Sequence, residues 1–383
     1  MTRNLYLGAD LTPAIRATSL SNFVDANGHI LGTVTKNNFP VRAKGLAEEI
    51  LDKKPDLVGL QEVALWRTGP TSLAPLQSAP TATNVRYDYL KLLLDELNKG
   101  GQLYKSVVVE PEFDFEAPAN ENGVTGDCPA SSGTQTCNAV PNAELNGRLT
   151  MRDVILVRGD RDIKISGEQG GHFDHLLAVN ILGRSVTVTR GWTRVDAAIR
   201  GGPPFRFVNT HLESFDDGTL RAQQAQELVA SGGPADSKLP VVLLGDFNSD
   251  DNTVQGKDRL AYQELVKAGF VERSTDNPLS CCIDSELLTE DGGGSVADFN
   301  HQVDHITTKA QPKVELIESS VTGRSIQNGF WNSDHAGVFS RLRIPSGEGP
   351  NPEAPPDSAT TEPTAGSEPG SEAPQDSSSS ESP

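Results

Sequence analysis

The sequence predicts one α/β domain with layered sheets and outer helices, followed by an unstructured tail. Three observations predict this class. Short aliphatic and β-branched runs alternate with amphipathic stretches of helical period. Several of the runs are apolar throughout, as strands covered on both faces are. The composition changes abruptly at Pro345.

Strands are expected at 57–60, 107–109, 154–157, 186–189, 205–208, 241–244, 303–307 and 338–344. A helix is expected at 41–54, where Leu46, Ala47, Ile50 and Leu51 share a face. A second is expected at 89–97, where Tyr89, Leu90, Leu93, Leu94 and Leu97 do the same and Gly100-Gly101 supplies a stop. Two more are expected at 220–230 and 260–268, the latter ended by Gly269. Residues 110–146 carry Pro111, Pro118, Pro129 and Pro141 with little apolar periodicity, and read as a surface loop insertion. Residues 345–383 hold eight acidic residues, no basic ones, and Ala as the only apolar side chain; they read as a disordered, extended tail. The expected division is a folded domain over 1–344 and a tail over 345–383.

The 383 residues carry 33 Lys+Arg against 52 Asp+Glu, a formal charge of −19, of which −11 remains in residues 1–344. That balance argues against a strongly basic nucleic-acid binder held by phosphate contacts. An enzyme that meets phosphates through a bound cation remains open, because the ion reverses the local field. No apolar run is long enough to span a bilayer, and the opening Met1-Thr2-Arg3-Asn4-Leu5 is not a signal peptide. The four cysteines allow three pairings. A Cys128–Cys137 bridge is expected to stabilise its Gly/Ser/Thr-rich loop by about 2–3 kcal/mol. Cys281 and Cys282 are left open between a vicinal bridge, other partners and simple packing. Neither pair has a CxxC spacing, so zinc is not expected.

Functional information lies where the apolar runs end. Residues 57–60 run into Gln61-Glu62, and 207–208 into Asn209-Thr210-His211. Residues 241–244 run into Gly245-Asp246-Phe247-Asn248, Gln302-Val303 into Asp304-His305, and Asn332-Ser333 into Asp334-His335. Each piece alone has a plain structural explanation as turn, cap or buried histidine. Together they predict one polar floor at the carboxyl ends of strands. Its groups are complementary: acids for a hard cation, amides for positioning, imidazoles for protons or phosphate.

With Asn4 near the start, these motifs resemble the endonuclease/exonuclease/phosphatase superfamily, in order and wide spacing, from Asn4 to about Arg343. The opening residues 3–11 and the Cys281-Cys282 pair look like a secreted bacterial branch. The resemblance implies a deoxyribonuclease-I-like fold of two packed mixed β-sheets flanked by helices, and a phosphoester hydrolase dependent on Mg²⁺, with Mn²⁺ or Ca²⁺ as alternatives. It implies Glu62 as principal metal ligand, with Asn4 beside metal and phosphate and Asp334 near the metal or a second ion. Asp246 would activate the attacking water and Asn248 would fix geometry. His335 would contact the phosphate, with Asp304 setting its tautomer, and His211 would bind phosphate or supply a proton. Which histidine protonates the leaving oxygen stays open. Arg152 and Asn209 are expected to face substrate, Asp10 is a candidate to line the site, and His172, Asp174 and His175 read as a surface loop. His305 should point to the opposite strand face from Asp304.

Relatives carry a full strand before the first Asn, whereas three residues precede Asn4. We therefore expect Met1 to be an internal methionine, with signal peptide and strand upstream, and a monomer working outside the cell or at its surface. The expected substrate is a nucleic acid or a phospholipid headgroup; a sphingomyelin or inositol-phosphate hydrolase is the alternative on the same site. A non-catalytic cell-surface binding module is the alternative of another class.

Overall fold

Period-two alternation along the strands decides which side chains lie between two mixed β-sheets and which face helices. The structure, a computed structural model, describes residues 1–71, 80–120, 143–250, 259–274 and 279–345. In chain order, β1 (Thr2–Asn4) precedes α1 (Thr12–Ile15), α2 (Leu20–Lys36) and α3 (Phe39–Lys53). Then come β2 (Leu57–Gln61), β3 (Leu65–Pro70), β4 (Asn84–Asp88), α4 (Tyr89–Leu97) and the long strands β5 (Tyr104–Ala119) and β6 (Leu145–Arg158). Next are β7 (Ile163–His172), β8 (Leu177–Ile181), β9 (Arg184–Val188), β10 (Gly191–Ile199) and β11 (Phe205–His211). The rest is α5 (Thr219–Val229), β12 (Val241–Asp246), α6 (Leu260–Lys267), β13 (Phe270–Glu272), β14 (Asp304–Lys309), β15 (Glu315–Thr322) and β16 (Gly337–Arg343).

The first sheet has the order β15-β16-β1-β2-β6-β3-β4, with β5 also on β6; the second has the order β13-β14-β12-β11-β10-β7; β8 and β9 form a separate ribbon. β1 runs parallel to β2 and β11 to β12, and all other pairs are antiparallel. Leu57, Ile155, Val157, Phe205, Phe207, Val242, Leu244 and Ile306 fill the space between the sheets. Their strand neighbours face outward. Val58, Leu60, Val154 and Leu156 meet α2–α4, while Val208, Val241 and Leu243 meet α5 and α6. This is the two-sheet, helix-flanked architecture the sequence predicts, and the described residues belong to one unit, Met1–Ser346.

Several features depart from the expectation, among them β3, β4, β7, β8, β10, β13 and β15, where no strand was expected. The seventeen-residue α2 was not expected at all. Residues 110–119, expected as loop, continue β5. Its Pro111 and Pro118 are tolerated because β5 pairs only with β6 and leaves its other side unladdered. The remainder of the expected insertion, with the Cys128–Cys137 bridge, lies outside the described residues, as does the tail beyond Pro345.

Candidate active site

The same alternation that buries Leu57, Phe207, Leu244 and Ile306 between the sheets puts the polar residues at one end of that core. Counting by twos from these positions reaches Gln61, Asn209, His211, Asp246 and Asp304. Not all arrive at carboxyl ends of strands. β1, β2, β11 and β12 deliver Asn4, Gln61-Glu62, His211 and Asp246 that way. Asp304 opens β14, which runs antiparallel with Asp304 opposite Asp246, and His335 precedes β16. Antiparallel partners simply bring their starting residues to the same edge.

Asp246 is the centre of the arrangement. Its Oδ2 accepts from Asn4 Nδ2 at 2.9 Å and lies 3.5 Å from His211 Nε2 and 3.7 Å from His335 Nε2. Its Oδ1 accepts the Asn248 N–H at 2.9 Å. Burial, together with Asp304, pushes the Asp246 carboxyl up to about 6, against the opposing pull of His335 and Asn4. His335 Nδ1 pairs with Asp304 Oδ2 at 2.8 Å. Burial opposes the His335 charge, but Asp304, Asp246 and Asp334 overcome it and hold its pKa well above the usual histidine range. His211 is the opposite case: burial, then Arg190, then His335 push its pKa well below that range. One imidazolium and one neutral imidazole thus flank one carboxylate. The Asp246, Asp304 and His335 ligand atoms are close enough to hold an ion. We read the cluster instead as a charged imidazole between two carboxylates, since Nδ1 is already engaged.

Glu62 Oε2 accepts the Leu7 N–H at 2.7 Å, and Oε1 accepts from Asn4 Nδ2 at 3.3 Å. The residue sits at φ 53°, and Asn248 at φ 47°. Such conformations each cost about 1–3 kcal/mol and collect at functional sites. Glu62 and Asp334 line the same cavity, and burial with the Glu62 charge pushes the Asp334 carboxyl up to about 6. Two carboxylates facing one opening fit a hard divalent cation. Asn4 Oδ1 accepts the Tyr6 N–H at 2.8 Å, and its Nδ2 donates to both Glu62 and Asp246.

Helix α3 braces the strand ends. Fully buried Arg42 donates to the carbonyls of Leu5 (2.9 Å), Tyr6 (3.2 Å) and Asn332 (3.0 Å), and so ties the segments after Asn4 and before Asp334 together. Arg3 bridges Glu49 of the same helix, at 3.1 Å, to the His335 carbonyl.

Two expected substrate contacts are elsewhere. Asn209 is fully buried beneath the floor, where it donates to Leu60 O (3.3 Å) and Thr193 Oγ1 (3.2 Å) and accepts from Gln61 Nε2 (2.5 Å). Arg152 is turned onto the carbonyls of Val63 (2.9 Å) and Ala64 (3.3 Å) and onto Asp88 (2.6 Å), so it holds the segment after Glu62. Sequence spacing fixes the face of a strand residue but not which neighbour its long side chain finds. The arginine at the site is Arg190, which the sequence reading missed. It is buried, reaches His211 Nδ1 at 3.0 Å, lies 3.6 Å from Glu213 and lines the cavity with Glu62 and Asp334. Its signal is slight: a lone arginine between an apolar run and Gly191, where a Cβ would overlap the Gly171 carbonyl. His305 points away, to Glu272 and the Ser249 carbonyl. Of the surface cluster, His172 pairs with Glu110 and His175 with Glu227, and Asp10 lies on the cavity wall. Cys281 and Cys282 sit side by side with their sulfurs 3.7 and 3.8 Å from His335 Nε2.

Residues 27–347 match the model of the Endonuclease/Exonuclease/phosphatase family. The chain belongs to that family. Endonuclease/exonuclease/phosphatase members are hydrolases acting on phosphoesters, and the groups gathered here are those such hydrolysis uses. No curated protein matches the chain. Among solved structures, it is similar to an endonuclease/exonuclease/phosphatase from Bacteroides vulgatus, with 14% identity over 90% of this chain and 97% of that one, TM-score 0.49. It is similar to the mannosyl-6-phosphatase Bt3783 of Bacteroides thetaiotaomicron, with 17% identity over 90% and 98%, TM-score 0.47. It is also similar to TDP2 of D. rerio complexed with single strand DNA product, with 15% identity over 80% and 93%, TM-score 0.45.

Proposed function

We propose that the protein is a divalent-cation-dependent phosphodiesterase that attacks phosphorus with a water activated by Asp246. The observation that carries this reading is the convergence on Asp246 Oδ2 of Asn4 Nδ2 and both imidazole Nε2 atoms, beside a cavity that Glu62 and Asp334 share. Glu62 and Asp334 would hold the cation, preferably Mg²⁺, which keeps most of its hydration and needs few carboxylates. When bound it neutralises charge developing on the phosphoryl oxygens.

The chain's own groups supply the rest. Asp246 takes the proton of the attacking water, and the Asn248 N–H and Asn4 amide fix the carboxylate's orientation. His335, charged and backed by Asp304, donates to the phosphoryl group, and Arg190 adds a second fixed cation on the His211 side. His211 and His335 both remain candidates for protonating the leaving oxygen. The adjacent Cys281 and Cys282, which we assign as a vicinal disulfide, suit an extracellular or cell-surface monomer of a secreted bacterial branch, as does the composition of residues 345–383.

The test is a panel of plasmid DNA, RNA, sphingomyelin, inositol phosphates and bis(p-nitrophenyl) phosphate with Mg²⁺, Mn²⁺, Ca²⁺ or EDTA. Turnover that requires a cation and stops with EDTA is expected. Turnover equally fast in EDTA would remove the proposal.

A further inference from the structure

The cavity that Glu62, Asp334 and Arg190 share does not end at the polar floor. Its volume is about 680 Å³, within the range of sites that enclose a small molecule. Beyond the polar end its wall is built by the same alternation that built the floor. Phe113 and Phe115 of β5, Leu149 and Met151 of β6, and Val179 and Ile181 of β8 project into it at every second position. Phe23 and Leu31 of α2 close the side. None of these side chains is an ordinary hydrogen-bonding group, so a nucleobase or sugar placed against this stretch would leave polar groups unpaired; the polar lining residues, among them Tyr6, Asn27, His29 and Ser214, stand at other positions of the cavity. Farther along, Asp10, Asp284 and Glu286 are exposed and acidic, and His29 beside them pairs with Glu286, so the excess of negative charge disfavours a polyanionic strand.

We infer that this wall binds the hydrocarbon chain of a phosphoester substrate, so the enzyme acts on phosphates with one long alkyl or acyl substituent. The inference rests on the hydrolase reading above and names the substrate class of that same site. Hydrolysis then forms a bond from the water oxygen to phosphorus and breaks the bond from phosphorus to the leaving oxygen. Asp246 takes the water proton, and the leaving alkoxide receives a proton from one of the two imidazoles. The apolar wall stays fixed on the chain throughout and so contributes to binding.

Alkyl p-nitrophenyl phosphates with methyl, butyl and octyl chains present the same phosphorus and leaving group, with only the chain varied. Each buried methylene multiplies affinity by about three- to fourfold, so KM is expected to fall at least tenfold from methyl to octyl, with kcat changing far less. Val179→Trp and, independently, Leu149→Trp should bring the methyl-to-octyl KM ratio toward one. Calorimetry on the unaltered protein supplies a readout without turnover: dodecyl phosphate should bind at least tenfold more tightly than methyl phosphate. Sphingomyelin vesicles alongside monomeric esters separate the sources of the chain. Cleavage in vesicles assigns it to a bilayer and cleavage of monomers alone to a free amphiphile, and either supports a chain-binding wall. Equal KM across the series, or dodecyl phosphate binding no tighter than methyl phosphate, overturns the inference and leaves the hydrolase standing. No turnover of any ester, together with tight dodecyl phosphate binding, removes the hydrolase reading and keeps the chain-binding wall.

Discussion

Asp246 and His335 set the pH behaviour, because the fold moves both from their ordinary values in directions that chemistry can read. Asp246 must be ionised to take a proton, and its carboxyl is pushed up to about 6, so kcat/KM should fall as pH drops through about 6. His335 works charged, and its pKa is held well above the usual histidine range, so the alkaline limb should lie above neutral pH. Asp304→Asn removes the carboxylate paired with His335 Nδ1, and should move the alkaline limb to lower pH in a measured profile. The sign for stability agrees. The raised His335 pKa contributes stability in full below the ordinary histidine value, and that contribution is lost as pH rises through the raised one. Asn209 provides the contrast. As its amide pairs with Gln61, Leu60 and Thr193 under the floor, Asn209→Ala should cost about 1–3 kcal/mol in denaturant unfolding and leave KM little changed. A changed KM at unchanged stability would restore it as a substrate contact. The sequence showed which residues close the apolar runs, and Glu62, His211, Asp246, Asp304 and His335 do meet. It could not show that Arg152 turns to backbone carbonyls or that Arg190 reaches His211, because those contacts lie far apart in the chain.

Helix α2 shows where sequence periodicity loses its force. Val24, Ile30, Thr33, Val34 and Thr35 are β-branched, and Gly28 and Gly32 lie inside the helix, so its propensity is poor. Tertiary contacts make it helical: Phe23, Ile30, Leu31 and Val34 are buried in the main core. Gly28 is there because the backbone of Asn120 passes against it and a Cβ would overlap that carbonyl. A helical Gly→Ala change ordinarily stabilises by about 1 kcal/mol. Gly28→Ala should instead destabilise by roughly 1–3 kcal/mol, read from thermal or denaturant unfolding. A stabilised Gly28→Ala protein would contradict the packing. The strands with continuous apolar runs, β2, β6, β11 and β12, were legible because both faces are covered. β5 was legible only at 107–109: beyond that its two prolines imitate a loop, and only the edge position accommodates them.

At the scale of the whole molecule, two sheets are pressed together by an apolar core whose open end holds the acids, amides and imidazoles. Charge matters at this scale too. With −11 over residues 1–344, duplex DNA should bind weakly and lose little affinity with added salt. Fluorescence anisotropy at several salt concentrations checks this, and tight binding with a steep salt dependence would contradict it.

The most direct measurement titrates Mg²⁺ against hydrolysis of a phosphodiester by the unaltered protein, Glu62→Ala and Asp246→Asn, with unfolding curves for each. The account predicts cation-dependent turnover, a roughly 10²- to 10⁴-fold loss of kcat in Asp246→Asn, activation of Glu62→Ala only at much higher cation concentration, and folded proteins throughout. Undiminished, cation-independent turnover in both substituted proteins would contradict it.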